Sequence, residues 1–177
     1  MNSNTKSFWQ FSWRVVACHV VSYFIFGLFF SLLFNYKDAY VNSILSSFMK
    51  PTTSPWVAIG PSLQIIRGFI FALVLWPLKD FLFGNKKGWL ILWSLFIGFA
   101  ILGTTGPVSS SIEGLIYTKI PIYYQLLGLP EVLLQTLAFS YLLVYWYKHP
   151  KKVWNIVMGL CCILILLMGL AGVFLRK

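Results

Sequence analysis

Four acidic residues occur in the chain, and two of them, Glu113 and Glu131, fall in the stretch TTGPVSSSIEGLIYTKIPIYYQLLGLPE, residues 104–131. Two neighbouring carboxyls can divide general acid–base work when burial raises one pKa and leaves the other low. A carboxylate in an oily setting can equally serve as the counter-ion of a buried cation. Such a cation exists: Arg67, inside an apolar run, with Gln64 three residues earlier on the same helical face. Glu131 and Gln135, four apart, form a matching polar face. The expected arrangement sets Arg67 against Glu131, with Gln64 and Gln135 beside them and the 106–121 segment folded over the top. Thr104, Thr105, Ser109, Ser110, Ser111, Tyr117, Tyr123 and Tyr124 are candidate hydroxyl partners. The ligand-binding candidates are therefore Gln64, Arg67, Glu113, Glu131 and Gln135, around a polar pocket that opens outward. No catalytic residue is assigned.

The same groups have plainer uses. Ser110-Ser111-Ile112-Glu113 fits the capping-box pattern, in which serine and glutamate each satisfy an orphan backbone N–H. Glu131 follows Leu129-Pro130 in what reads as a first helical turn, where the helix dipole favours a carboxylate. In a structural lock, all these groups satisfy one another and no ligand is needed. His19 is a second, weaker candidate. It reads first as a helix–helix hydrogen-bonding residue near the inner face, on the opposite side from Glu113 and Glu131. His149, beside Pro150 in a basic loop, is assigned nothing.

Other chemistry is missing from the sequence. There is no phosphate-cradling glycine loop, no H-E-x-x-H and no G-x-S-x-G. Cys18, Cys161 and Cys162 lie inside apolar runs without metal or redox spacing, so they read as packing residues. No metal is expected, and the sequence names no cofactor.

These side chains must be positioned by helices in lipid. Hydrophobic residues make up 59% of the 177 and charged residues 10%, against about 25% charged in a soluble domain. Mean hydropathy is +0.79. The expected fold is all-α: an integral membrane bundle of about five transmembrane helices, forming one domain over 1–177. The spans fall at about 15–34, 61–78, 89–103, 130–147 and 153–175, each a run near the ~20 residues that cross a bilayer, the third on the short side. Val41, Ile44, Leu45, Phe48 and Met49 predict a short amphipathic helix in the first connection. The third connection should hold another, over about Ser111 to Lys119. Pro61 suits the first position of the second span. Gly169-x-x-Gly172 in the fifth span would let two helices approach closely.

The net charge of +10 excludes nothing alone, but the Lys and Arg residues cluster at the ends of apolar runs. That pattern fits membrane topology and anionic lipid headgroups, not nucleic acid. Of the 14 Lys and Arg residues, eight (Lys6, Arg14, Lys79, Lys86, Lys87, Lys148, Lys151, Lys152) share the side of the N-terminus. The positive-inside rule then places the N-terminus in the cytoplasm. Trp9, Trp13, Trp56, Trp76, Trp89, Trp146 and Trp154 fall near span ends, as an aromatic belt requires. Lys86, Lys87, Lys151 and Lys152 are the expected headgroup contacts, and a membrane protein partner is a further candidate. Compact loops and the lack of a glycosylation sequon point to a bacterial plasma membrane. The leading functional reading is a binder or transporter of a small molecule, ion or lipid. The alternatives are an intramembrane enzyme using Glu113 or Glu131 on a lipid-soluble substrate, and a structural or regulatory subunit of a membrane complex.

Overall fold

The computed structural model describes residues 7–102 and 109–175. Among these residues every regular element is helical, and the fold is an all-α membrane bundle. The long elements are α1 (Phe8–Leu33), α3 (Pro55–Leu75), α8 (Leu129–Lys148) and α9 (Lys152–Phe174). Shorter ones are α2 (Tyr36–Asn42), α4 (Lys79–Gly84), α5 (Gly88–Ile97), α6 (Ile112–Tyr117) and α7 (Ile122–Leu127). Among the described residues four helical segments are long and apolar enough to cross a membrane: α1, α3, α9 and the α7–α8 stretch Ile122–Lys148. The remaining apolar stretch, α5 with its π-helical continuation Gly98–Leu102, is shorter.

Two helices begin earlier than the apolar runs imply. α1 starts at Phe8, seven residues before Val15, because Trp9, Gln10, Ser12 and Trp13 remain helical although they are not uniformly apolar. α3 starts with Pro55 at its first turn and carries Pro61 inside the helix, not at its head. Hydropathy marks where oil begins, whereas a backbone helix propagates on through interfacial residues. The first connection also departs from a single amphipathic stripe. α2 ends at Asn42, Ser43 turns extended, and a separate 3₁₀ turn runs over Ile44–Ser47. Ser43 causes the break: its Oγ accepts from the Leu45 N–H at 3.1 Å and donates to the Ala39 carbonyl at 2.6 Å. Asn35, in the left-handed region at φ 47°, ends α1 as asparagine often does.

α1 is the hub, packing on α3, α8 and α9, while α9 also lies on α3 and α5 leans on α8. Small residues set the closest approaches. A Cβ added at Gly68 of α3 would stand 2.9 Å from Val16 Cα of α1, and one at Gly172 of α9 would stand 2.9 Å from Ala58 Cβ of α3. At Gly169 an added Cβ would collide with Ser62 Oγ. The Gly169-x-x-Gly172 pair thus does allow the close packing that its spacing implied.

The N-terminal end of α1 and the connections after α4 and α8 meet at one end of the bundle. Phe83 stacks on Tyr147 at 4.1 Å, and Phe11 packs edge-on to both rings. The Lys148 ammonium donates to the Asn85 carbonyl at 2.7 Å. Arg14 is buried, its guanidinium over Trp146 at 5.7 Å and Tyr147 at 5.9 Å, where a ring face replaces some of its lost hydration. Lysines concentrate at this end. Glu131, α2, α6 and α7 lie at the other.

Candidate functional site

Antiparallel packing of α1 and α3 brings His19 level with Gln64. His19 Nε2 donates to Gln64 Oε1 at 3.2 Å, and Gln64 Nε2 donates back to the Gly60 carbonyl at 3.4 Å. The helix–helix hydrogen bond expected of His19 is present. The early start of α1 puts His19 about 16 Å into the helix, near the middle of α1 and not one turn from its start. Arg67 is likewise deeper than Pro61 as a helix start implied. Measured from Pro55 it lies about 18 Å along α3.

A cavity of about 820 Å³ opens between α1, α3, α5 and α8. His19, Arg67, Glu131, Gln135, Thr136, Ser109 and Ser110 supply its polar wall. Phe71, Phe96 and Phe139 pack on one another at the end farther from Glu131, with centroids 4.9–6.2 Å apart, and the His19 ring meets Phe71 edge-on at 4.8 Å. His19 and Glu131 therefore border one space, contrary to the separation that the shorter first helix implied.

The expected Arg67–Glu131 ion pair does not form. The Arg67 guanidinium lies over Phe71 at 5.5 Å, one turn further along its own helix, and it has no hydrogen bond or ion pair among the described residues. Glu131 turns the other way: its Oε2 accepts from the Tyr36 hydroxyl of α2 at 2.6 Å, and its Oε1 faces Gly27 of α1. Burial, and then the bond to Glu131, hold the Tyr36 phenol above its ordinary range. Burial and the same carboxylate push Tyr40 up to about 12. Both phenols thus stay protonated donors in neutral solution. Glu131 and Tyr23 also border a second cavity of about 540 Å³, which reaches Tyr40, Lys50 and Trp56. The Lys50 ammonium sits 5.0 Å from the Trp56 ring centroid. Glu131 therefore stands at the partition between two spaces.

Gln64 holds His19 but does not line either cavity, and neither does Glu113. The capping frame at Glu113 is shifted by one residue. Ser111, not Ser110, is the cap, its Oγ accepts from the Gly114 N–H at 2.9 Å, and Glu113 occupies the first turn. Tyr117, Tyr123 and Tyr124 lie away from the cavity wall, whereas Thr104 and Thr105 lie outside the described residues.

Sequence reasoning missed two residues that organise this end. Tyr36 was not singled out, although Tyr36 and Tyr40, four apart, form an aromatic hydroxyl face with rings stacked at 5.0 Å. Gln125 lies in α7, within the third connection. It is buried, accepts from the Ser110 N–H at 2.6 Å, and donates to the Gly114 carbonyl at 3.1 Å and Thr118 Oγ1 at 2.9 Å. Only its place in an otherwise apolar IYYQLL run signalled it.

A double-mutant cycle measures the Glu131–Tyr36 contact. Tyr36→Phe and Glu131→Gln, combined, should fall short of additivity by about 0.6–1.7 kcal/mol of thermal stability in detergent, the range seen for interhelical hydrogen bonds in membranes. Additive losses would show that the two side chains do not meet.

Among the described residues no group of three or more His, Cys, Asp and Glu side chains stands ready for a metal ion. The fold and the cavity define a polytopic helical membrane protein with a polar internal space beside a cationic side chain. The chain matches no protein-family model, no curated protein and no solved structure.

Proposed function

We propose that the protein binds, or carries across the bilayer, a ligand with an anionic group, held in the cavity bordered by Arg67, His19, Gln135 and Glu131. One observation supports this reading above the others. A guanidinium near mid-helix faces an open space of about 820 Å³ while the nearby carboxylate is engaged elsewhere. A charge near the centre of a membrane helix costs about 2.5–3.5 kcal/mol on insertion scales. A structural lock would offset that cost by pairing Arg67 with Glu131, and that pair is not made. An anionic ligand offsets it instead. The acid–base alternative gains no comparable support, since Glu113 does not border either cavity that Glu131 borders. In this reading the lysine-rich end faces the cytoplasm, Lys86, Lys87, Lys151 and Lys152 lie at anionic headgroups, and the Glu131 end faces outward.

Thiol labelling tests the cavity. With Cys18, Cys161 and Cys162 replaced by alanine, Gln135→Cys should react with a membrane-impermeant, negatively charged methanethiosulfonate added outside intact cells. Leu134→Cys, on the exposed flank of α8, should react at least tenfold more slowly. Equal rates would remove the water-accessible cavity, and labelling only from the inside would reverse the orientation.

A further inference from the structure

Arg67 borders two spaces. Besides the polar cavity it heads a groove of about 580 Å³ between α3 and α5, in which it is the only residue, among the described ones, that is not apolar. Ile70 and Val74 of α3, with Leu78 just beyond its end, form one wall, and Leu92 and Leu95 of α5, with Phe99 of its π-helical continuation, form the other. From Arg67 to Leu75, where α3 ends, the groove runs about 12 Å along the helix, and it continues to Leu78. Ile70, Val74 and Phe99 are more than half exposed, so the groove opens on the flank of the bundle, where lipid chains lie. Phe71 of α3 and Phe96 of α5, in edge contact at 4.9 Å, separate its floor from the bundle interior.

One end of this site is polar and cationic, and the other is a long hydrocarbon trough. We propose that its ligand is an anionic lipid with a phosphate headgroup, its phosphate on Arg67 inside the polar cavity and one chain laid in the α3–α5 groove. This rests on the ligand-binding reading above and names the ligand's class. Charge complementarity selects an anion, because the guanidinium has neither a hydrogen bond nor an ion pair among the described residues. The donor set selects phosphate over carboxylate. A planar guanidinium fork already satisfies both oxygens of a carboxylate. The same wall adds the amide of Gln135 and the hydroxyls of Ser109 and Ser110, more donors than two oxygens need. The apolar length selects a chain-bearing ligand over a free anion, because an uncovered trough beside a cation serves no purpose for inorganic phosphate.

Thermal stability of the full chain in neutral detergent, with added ligand as the variable, decides the matter. The probes are long-chain phosphatidic acid, phosphatidylcholine, oleate and inorganic phosphate. The variants are Arg67→Gln, Val74→Trp to fill the groove, and Leu73→Trp as a flank control that borders neither the polar cavity nor the groove. Phosphatidic acid should raise the melting midpoint. Arg67→Gln should weaken its apparent affinity at least tenfold, Val74→Trp by a similar factor, and Leu73→Trp by less than twofold. If Arg67→Gln does not fold, Arg67→Lys, which keeps charge but loses the fork, should still weaken binding several-fold. Phosphatidic acid binding that ignores Val74→Trp, together with Arg67-dependent binding of inorganic phosphate, would overturn the groove and leave the anion-binding cavity standing. Preference for oleate would overturn the phosphate headgroup. Arg67-independent binding of every probe would overturn both readings.

Discussion

Gly68→Leu should unfold the bundle at a markedly lower temperature than the unaltered chain. A Cβ at that position meets Val16 Cα at 2.9 Å, so backbone faces backbone and no rotamer change relieves the clash. Overpacking of this kind costs about 1–3 kcal/mol, occasionally more. Alanine should fall at the low end of that range and leucine at or above its top. The loss should extend beyond stability. Gln64 and Arg67 lie within a turn of Gly68 on α3, so pushing α3 away from α1 pulls Gln64 off His19 and lets the cavity wall splay. Gly159→Ala is the matched control: it sits inside α9, and an added Cβ would meet only Trp13 at 3.9 Å, an ordinary contact. Helix propensity should make that change neutral or stabilising by about 0.5–1 kcal/mol. Melting curves followed by size-exclusion chromatography would compare the three. If leucine at 68 melts with the parent, α1 and α3 do not touch as described.

The second large effect is local. Gln125→Leu keeps the size of the side chain and deletes its three hydrogen bonds to Ser110, Gly114 and Thr118. The Gly114 carbonyl keeps the Thr118 N–H and hydroxyl, and Thr118 Oγ1 keeps the Ile120 N–H, so the Ser110 N–H is the group left unsatisfied. Such a loss costs about 1–3 kcal/mol, enough to open a short segment. Ser110, held in the left-handed region at φ 68°, has little else to keep it there. Hydrogen exchange should accelerate at least tenfold over α6 and residues 109–111, while amides in α1 and α9 keep their protection. Unchanged exchange over α6 would show that Gln125 does not hold this segment. The two variants separate the scaffold from its cover: one should loosen the entire bundle, the other only the part above the cavity.

Membrane helices were legible because apolar runs must reach bilayer length and because proline, glycine and lysine punctuate them. The runs ending near Leu33, Lys148 and Phe174 were placed to within two residues. The starts at Phe8 and Pro55 were not, since Trp, Gln and Ser at an interface are as helical as leucine but do not register as oil. That shift is the source of the error over His19. Two unseen turns of α1 moved it from the rim to the level of Gln64. Arg67, Glu131 and Gln135 were legible as candidates because charge and amide groups are rare in such runs. Their pairing was not, because Tyr36 reaches Glu131 across 95 positions of sequence and no local pattern encodes that choice. Gln125 escaped for a similar reason: a staple depends on which carbonyls stand opposite, which only the tertiary fold determines.

The contact between Phe71 and Phe96 has a bearing on exchange. α5 is fastened on the side of α8, where the Trp93 indole donates to the Leu133 carbonyl at 3.1 Å and Trp89 meets Tyr141. Toward α3 it is met by the edge contact between Phe71 and Phe96. A molecule arriving through that seam never leaves the plane of the membrane. Occupancy would then follow its mole fraction among the surrounding lipids and not its molar concentration in water, and dilution with inert lipid, not with buffer, would empty the site.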